Sequence, residues 1–333
     1  MKQSNVCLIA LPALLALACS HGVAQTLELA SYQQLITELE AGQSSAGLDL
    51  QLSEAYYGLG ISLQTLERHE EAVAAFDKAL QAVKEEKGLY DLAQLPMLQA
   101  QLDSQQALQA WEAVDAGRHL AHLITVKKPA ASIEQRYQTL RELGLWKLKS
   151  ADEELLPNSL ADAKEAAQLY RHELERPTDR AEYQRSPLSM ANLYLDLAAI
   201  EFLLASKKLA LPLSAYVTGG QRTITQMYCE TIATPDGRGR QVCRNIQMPN
   251  LDYFMSLTDR KYEQIWDHLD AMEEAVLEAY KVLLPAVETE RRDEALQLLS
   301  EVHRMTSASN DFVAANARRG ATRIAATGSR IDK

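Results

Sequence analysis

SEAYYGLGISLQTLERHEEAVAAFDKALQAVKEE, residues 53–86, reads as two amphipathic helices joined by a short polar connection. Tyr56, Leu59, Gly60 and Leu63 recur at helical spacing. Leu66-Glu67-Arg68-His69 interrupts the pattern, and Ala72, Phe76, Ala79, Leu80 and Val83 resume it. Gly60 and Ala72 stand where two such helices would cross. Small residues there let the backbones approach while Tyr56, Leu59, Leu63 and Phe76 fill the flanking space, and Ala79 is left for the next element. A helical hairpin of this kind cannot bury its own apolar face. It has to stack on neighbours, so the rest of the chain is expected to supply further hairpins.

At almost every fixed point this spacing resembles a tetratricopeptide repeat. Tyr56 stands for the usual tryptophan and Leu63 for the usual tyrosine, both apolar exchanges. Lys84 replaces the closing proline, so the second helix is expected to run on toward Gly88. The resemblance implies an all-α solenoid of helix-turn-helix units. In such arrays the first helix of each hairpin lines a concave groove, which would place Glu54, Tyr57, Ile61, Gln64 and Thr65 on the partner-binding surface. Members that clamp a terminal carboxylate carry Lys and Asn where this chain has Tyr57 and Ile61. The expected ligand is therefore an extended or helical segment with apolar anchors. Truncating Tyr57 and Ile61 is expected to weaken capture and leave stability nearly unchanged.

Fainter copies follow by translation. A shift of 42 residues lays Leu98 on Tyr56, Leu102 on Gly60, Val114 on Ala72 and Ala121 on Ala79; a second shift brings Leu140 and Gly144 to the first two positions. The longer period resembles the extended form of the repeat. Helical apolar patterns continue over residues 27–39, 96–108, 111–126, 132–148, 159–176, 187–209, 258–284 and 288–326, with Pro96, Pro157, Pro187 and Pro285 at starts or breaks.

The chain opens on a targeting segment: Lys2, then the apolar run of 13 residues from Val6 to Ala18, then small residues. Cleavage after Ala24 would release a periplasmic protein. Alternatively, Leu15-Ala16-Leu17-Ala18-Cys19 resembles a loose lipobox, with Cys19 as the lipidated anchor of an outer-membrane subunit. The body then holds two cysteines, Cys229 and Cys243, expected to pair in an oxidising compartment. The β-forming stretches 223–233 and 241–248 flank Thr234-Pro235-Asp236-Gly237-Arg238-Gly239, which is turn chemistry, so a β-hairpin is expected. Setting Cys229 opposite Cys243 pairs Ile224 with Met248, Tyr228 with Arg244 and Glu230 with Val242. Ile224, Tyr228, Ile232, Val242 and Ile246 then share one face and the disulfide the other. The bridge closes a loop of about 15 residues, for which chain entropy gives about 3 kcal/mol. The hairpin is read either as an arm that touches a partner or as an insertion folded back over the helices; the apolar face favours the second reading.

The organisation expected is a signal peptide over 1–24, a repeat array over 25–210, the hairpin over 211–256, C-terminal helices over 257–326 and a basic tail over 327–333. Thirty-four Lys and Arg against 45 Asp and Glu give a net charge of −11, which argues against a nucleic-acid binder. No phosphate-cradling glycine loop, nucleophile elbow or His-Glu-x-x-His helix is present. His119 with His122, and Asp267, His268 and Asp270, read as polar faces of helices, and Trp111, Trp146 and Trp266 as core. The reading is a non-enzymatic envelope scaffold for a protein or peptide, without cofactor or metal. Its alternatives are a lipoprotein subunit held at Cys19, an enzyme whose site is assembled from dispersed residues, and a self-associating protein.

Overall fold

The computed structural model describes residues 29–41, 48–175, 187–217, 219–233, 238–288 and 291–317, and over these the chain is mostly helical with one two-stranded antiparallel ribbon. The leader with Cys19, the hairpin turn and the basic tail lie outside the described residues. The helices are α1 (29–41), α2 (Leu48–Thr65), α3 (His69–Lys87), α4 (Gln94–Ala107), α5 (Trp111–Lys127), α6 (Ile133–Glu153), α7 (Ser159–Leu174), α8 (Pro187–Ala210), α9 (Leu251–Ala286) and α10 (Arg292–Ala317). Strands β1 (Thr223–Ala233) and β2 (Gly239–Pro249) lie between α8 and α9. The chain divides into two compact units, Met1–Asp162 and Ala163–Lys333, with the boundary inside α7.

In the first unit each helix from α2 to α6 packs on the next in sequence. The crossing of α2 and α3 is close because Gly60 has no side chain: a Cβ there would lie 2.4 Å from Cε1 of Phe76, a ring with no solvent exposure. Leu63, Ala72, Ala75 and Phe76 form one buried cluster with Ala100 of α4. Tyr56 and Ala79 belong to a second, which joins Val83 of α3 to Met97, Leu98 and Leu102 of α4, Val114 and Ile124 of α5, and Trp146 of α6. Leu59 is partly buried against both. In the absence of a proline at Lys84, α3 continues to Lys87 and stops at Gly88, which takes φ of 92° and returns its N–H to the Lys84 carbonyl.

The 42-residue translation has a backbone counterpart. Glu67 and Gln109 both adopt left-handed φ, 59° and 56°, in the turns after α2 and α4, and Glu154 does so at 56° after α6. In each turn the following N–H reaches back five residues: Arg68 to Leu63 O at 2.9 Å, Ala110 to Gln105 O at 2.9 Å, Leu155 to Ser150 O at 3.0 Å. Each helix thus ends in the same closure, which satisfies a carbonyl that would otherwise be orphaned. The small-against-large contact also repeats, with its members exchanged. Leu102 occupies the position of Gly60, and facing it is Gly117, the seventh residue of α5, whose added Cβ would lie 2.7 Å from Leu102 Cδ2. A glycine against a large side chain thus recurs at the crossing, with the glycine on the other helix of the pair.

In the second unit, α8 is apolar enough over 18 residues to span a bilayer, yet most of that window is buried. It is the core helix here: Leu188 and Ala191 pack with Leu283 and Ala286 of α9 and Ala295 of α10. Two boundaries differ from expectation. α9 starts at Leu251 and not near 258, because Asn250 directly after β2 accepts the Tyr253 N–H at 3.3 Å and caps the helix. Pro285 does not break α9 but sits in its last turn, one residue before its end. The ribbon register is Cys229↔Cys243, Ile224↔Met248, Tyr228↔Arg244 and Glu230↔Val242, and Cys229 and Cys243 form the disulfide.

Gly60→Leu should cost about 1–3 kcal/mol by overpacking and Phe76→Ala about 3–5 kcal/mol by cavity formation. The double variant should cost less than their sum, since the new side chain fills the vacated space; urea unfolding of the four proteins checks this. Glycine at 67, 109 or 154 should raise stability by about 0.5 kcal/mol each, read as an increased Tm, because the left-handed backbone no longer carries a Cβ.

Candidate functional site

The predicted groove residues of α2 divide into two kinds. Glu54 and Thr65 are exposed and Ile61 is 37% exposed, whereas Tyr57 and Gln64 are half-buried. Tyr57 lays its ring 5.9 Å from that of Phe76 and packs on both buried clusters, so it supports the core edge as well as facing outward. This corrects the expectation that it can be truncated without cost. Gln64 donates from Nε2 to the Ala100 carbonyl at 3.2 Å and thereby ties α2 to α4, a helix two places on in sequence.

Further along the same unit, α4 and α6 enclose a cleft of about 220 Å³. Leu95, Gln99 and Leu102 of α4 and Gln135, Gln138 and Glu142 of α6 line it. From α5, Arg118 donates through Nη1 to Gln99 Oε1 at 2.9 Å and to Glu142 Oε2 at 2.6 Å. Gln138 in turn donates to Glu142 Oε1 at 3.2 Å. Amide side chains can both donate to and accept from a peptide main chain, so this lining suits an extended backbone better than a charged terminus. These residues were legible in principle. Translation by 42 residues carries Tyr57 onto Gln99, and two such steps carry Glu54 onto Gln138. The same translation thus carries the positions expected for the groove onto α4 and α6.

His119 and His122 on α5 do not meet a ligand set; His119 Nε2 lies 3.8 Å from Asp115 Oδ2. That carboxylate also accepts from Trp146 Nε1 at 2.8 Å and pairs with the buried Lys147 at 2.6 Å, while the Trp111 and Trp146 rings lie 5.9 Å apart. The cluster joins α5 to α6 and is structural. Among the described residues no three potential metal ligands converge.

In the second unit Asp267 and Asp270 are exposed, but His268 is directed inward: its Nδ1 lies 2.7 Å from Oε2 of Glu201, a carboxylate only 1% exposed. The other oxygen of Glu201 accepts from Arg171. Sequence reasoning missed Glu201 because it lies 67 residues from its histidine, within an apolar helix. The ribbon does not fold back on the helices. Ile224, Tyr228 and Ile232 remain 42%, 48% and 45% exposed, and on the opposite face Met227 is 67% exposed. Val242 and Ile246 are half-buried, and Arg244 covers the Tyr228 ring at 5.9 Å.

Set against protein-family models, curated proteins and solved structures, the chain matches none of them.

Ile61→Ala should change stability by no more than about 0.5 kcal/mol, as exposed positions do, whereas Tyr57→Ala should cost about 1–3 kcal/mol. Urea unfolding of the two single variants separates surface from support.

Proposed function

We propose that residues 29–157 form a tetratricopeptide-like helical repeat array that binds a protein or peptide partner in extended form, without catalysis. Its groove is the face made by the first helices of successive hairpins, α2, α4 and α6. The observation that carries this reading is the amide-lined cleft between α4 and α6. These two helices are separated in sequence by α5 and share the walls of one cleft, bridged by Arg118 of α5, while Gln64 joins α2 to α4. A helical array that leaves such a face open has the geometry of a docking surface. The repeated left-handed turns at Glu67, Gln109 and Glu154 support the same grouping into pairs.

With a leader of the kind found at residues 6–18, the setting is the bacterial envelope, and the chain acts there as a scaffold subunit, free in the periplasm or held to the outer membrane through Cys19. The acidic balance of the chain disfavours nucleic acid as the ligand.

Photo-crosslinking residues placed singly at Ile61 and Gln138 should capture the same partner in intact cells. A probe at Gln81, exposed on α3, should not capture it. Gln138→Ala should weaken that capture by about tenfold, or ~1.4 kcal/mol, with Tm unchanged. Capture from Gln81 alone, or equal capture from all three positions, would contradict the assignment of the groove.

A further inference from the structure

The second unit contains a cleft of about 410 Å³ whose walls carry Lys164 and Arg171 from α7, Glu201 and Lys208 from α8, and Gln264 and His268 from α9. Three cationic side chains, Lys164, Arg171 and Lys208, meet there with two carboxylates, Glu201 and Asp267, a lining with a positive excess on a chain whose net charge is −11. A positive concavity in a negative molecule focuses potential and raises the local concentration of anions.

The charges are arranged, not scattered. Glu201, 1% exposed, uses one carboxylate oxygen for Arg171 and the other for His268 Nδ1. A buried carboxylate is costly unless it is paired, and this one holds two donors of the cleft in fixed orientation. With Nδ1 engaged by the carboxylate, Nε2 is the ring nitrogen left to meet a ligand. The lysines differ. Lys208 donates to Gln264 Oε1 at 2.5 Å, a neutral acceptor, and among the described residues neither Lys164 nor Lys208 has an ion-pair partner. Burial first, and the charge of Lys164 second, hold the Lys208 ammonium below its ordinary range. Asp267, on the exposed rim of α9, and the already paired Glu201 are the acidic groups of the lining, so the two ammonium groups are incompletely neutralised, and an anion seated between them would lower their repulsion.

We propose that this cleft binds a phosphate group, either free or as the monoester of a small organic molecule. A phosphate monoester carries close to two negative charges at neutral pH on a compact centre. The donors available are a guanidinium, two ammoniums and an imidazole converging on a single opening, and guanidinium and ammonium are the side chains that bind phosphate best. Carboxylates carry a single charge each. A dicarboxylate would place its charges at two separated ends, whereas Lys164 and Lys208 line one opening. The site is independent of the groove assigned above, since every residue in it belongs to the second unit.

The test is titration calorimetry of the full chain with inorganic phosphate, glycerol phosphate and succinate at one fixed ionic strength, paired with thermal unfolding in the same buffers. Phosphate should bind and raise Tm, with succinate weaker by about tenfold or more. Tighter binding of glycerol phosphate than of inorganic phosphate identifies a monoester as the ligand, and the reverse order identifies the free ion. Lys208→Ala should weaken phosphate binding by at least about tenfold and abolish the Tm response, with an unliganded Tm no lower than that of the parent. Lys164→Ala should weaken binding similarly, and because Lys164 is exposed this variant folds whatever the fate of the other. Lys281→Ala, remote from the cleft on the exposed side of α9, should bind as the parent does. The proposal is overturned by equal affinities for succinate and phosphate, by no binding of either phosphate, or by an undiminished Tm response in Lys164→Ala.

Discussion

The approach of α2 to α3 at Gly60 and Phe76 is the contact on which the first unit depends. A glycine in the middle of a helix costs about 1 kcal/mol relative to alanine, so its presence needs a return, and here it is the room for a fully buried phenyl ring. The ring belongs to a cluster that already includes Ala100 of α4, so the pair is completed only by the element that follows it. Leu102 and Gly117 restate the contact with the large and small partners exchanged. What recurs from one helix pair to the next is a glycine facing a large side chain at the crossing, with the turn geometry at Glu67, Gln109 and Glu154 fixing how each pair closes.

That principle explains what could be read in advance. The first hairpin was legible because its small and large residues fall at fixed spacing, and the ribbon because pairing Cys229 with Cys243 fixes every other register position once strand alternation is assumed. The later pairs were fainter, since the glycine of the crossing moves from Gly60 on the first helix of a pair to Gly117 on the second, so that positions related by 42 residues no longer match in type. The start of α9 lies seven residues before the apolar periodicity that begins at 258, because the Asn250 cap and not that periodicity sets it.

Features that depend on distant residues were the least visible. Tyr57 reads as a surface residue on its own helix and becomes a packing residue only when Phe76 is brought across. Glu201 lies in a helix otherwise rich in Leu and Ala, and its pairing with His268 and Arg171 depends on which turns of α7, α8 and α9 meet. The ribbon gave the opposite surprise. Its apolar face suggested cover by the nearest helices, yet Tyr228 is shielded by Arg244 from the neighbouring strand, and the disulfide supplies stability that packing does not.

The central claim is that a helical pair of this chain is incomplete until the adjoining pair covers its apolar flank. Circular dichroism of an isolated segment spanning residues 48–87, compared with one spanning 29–157, tests it most directly. The account predicts that the short segment has little helix and no cooperative melting, while the long one is helical and unfolds in one transition. A short segment that folds fully and melts cooperatively by itself would contradict it.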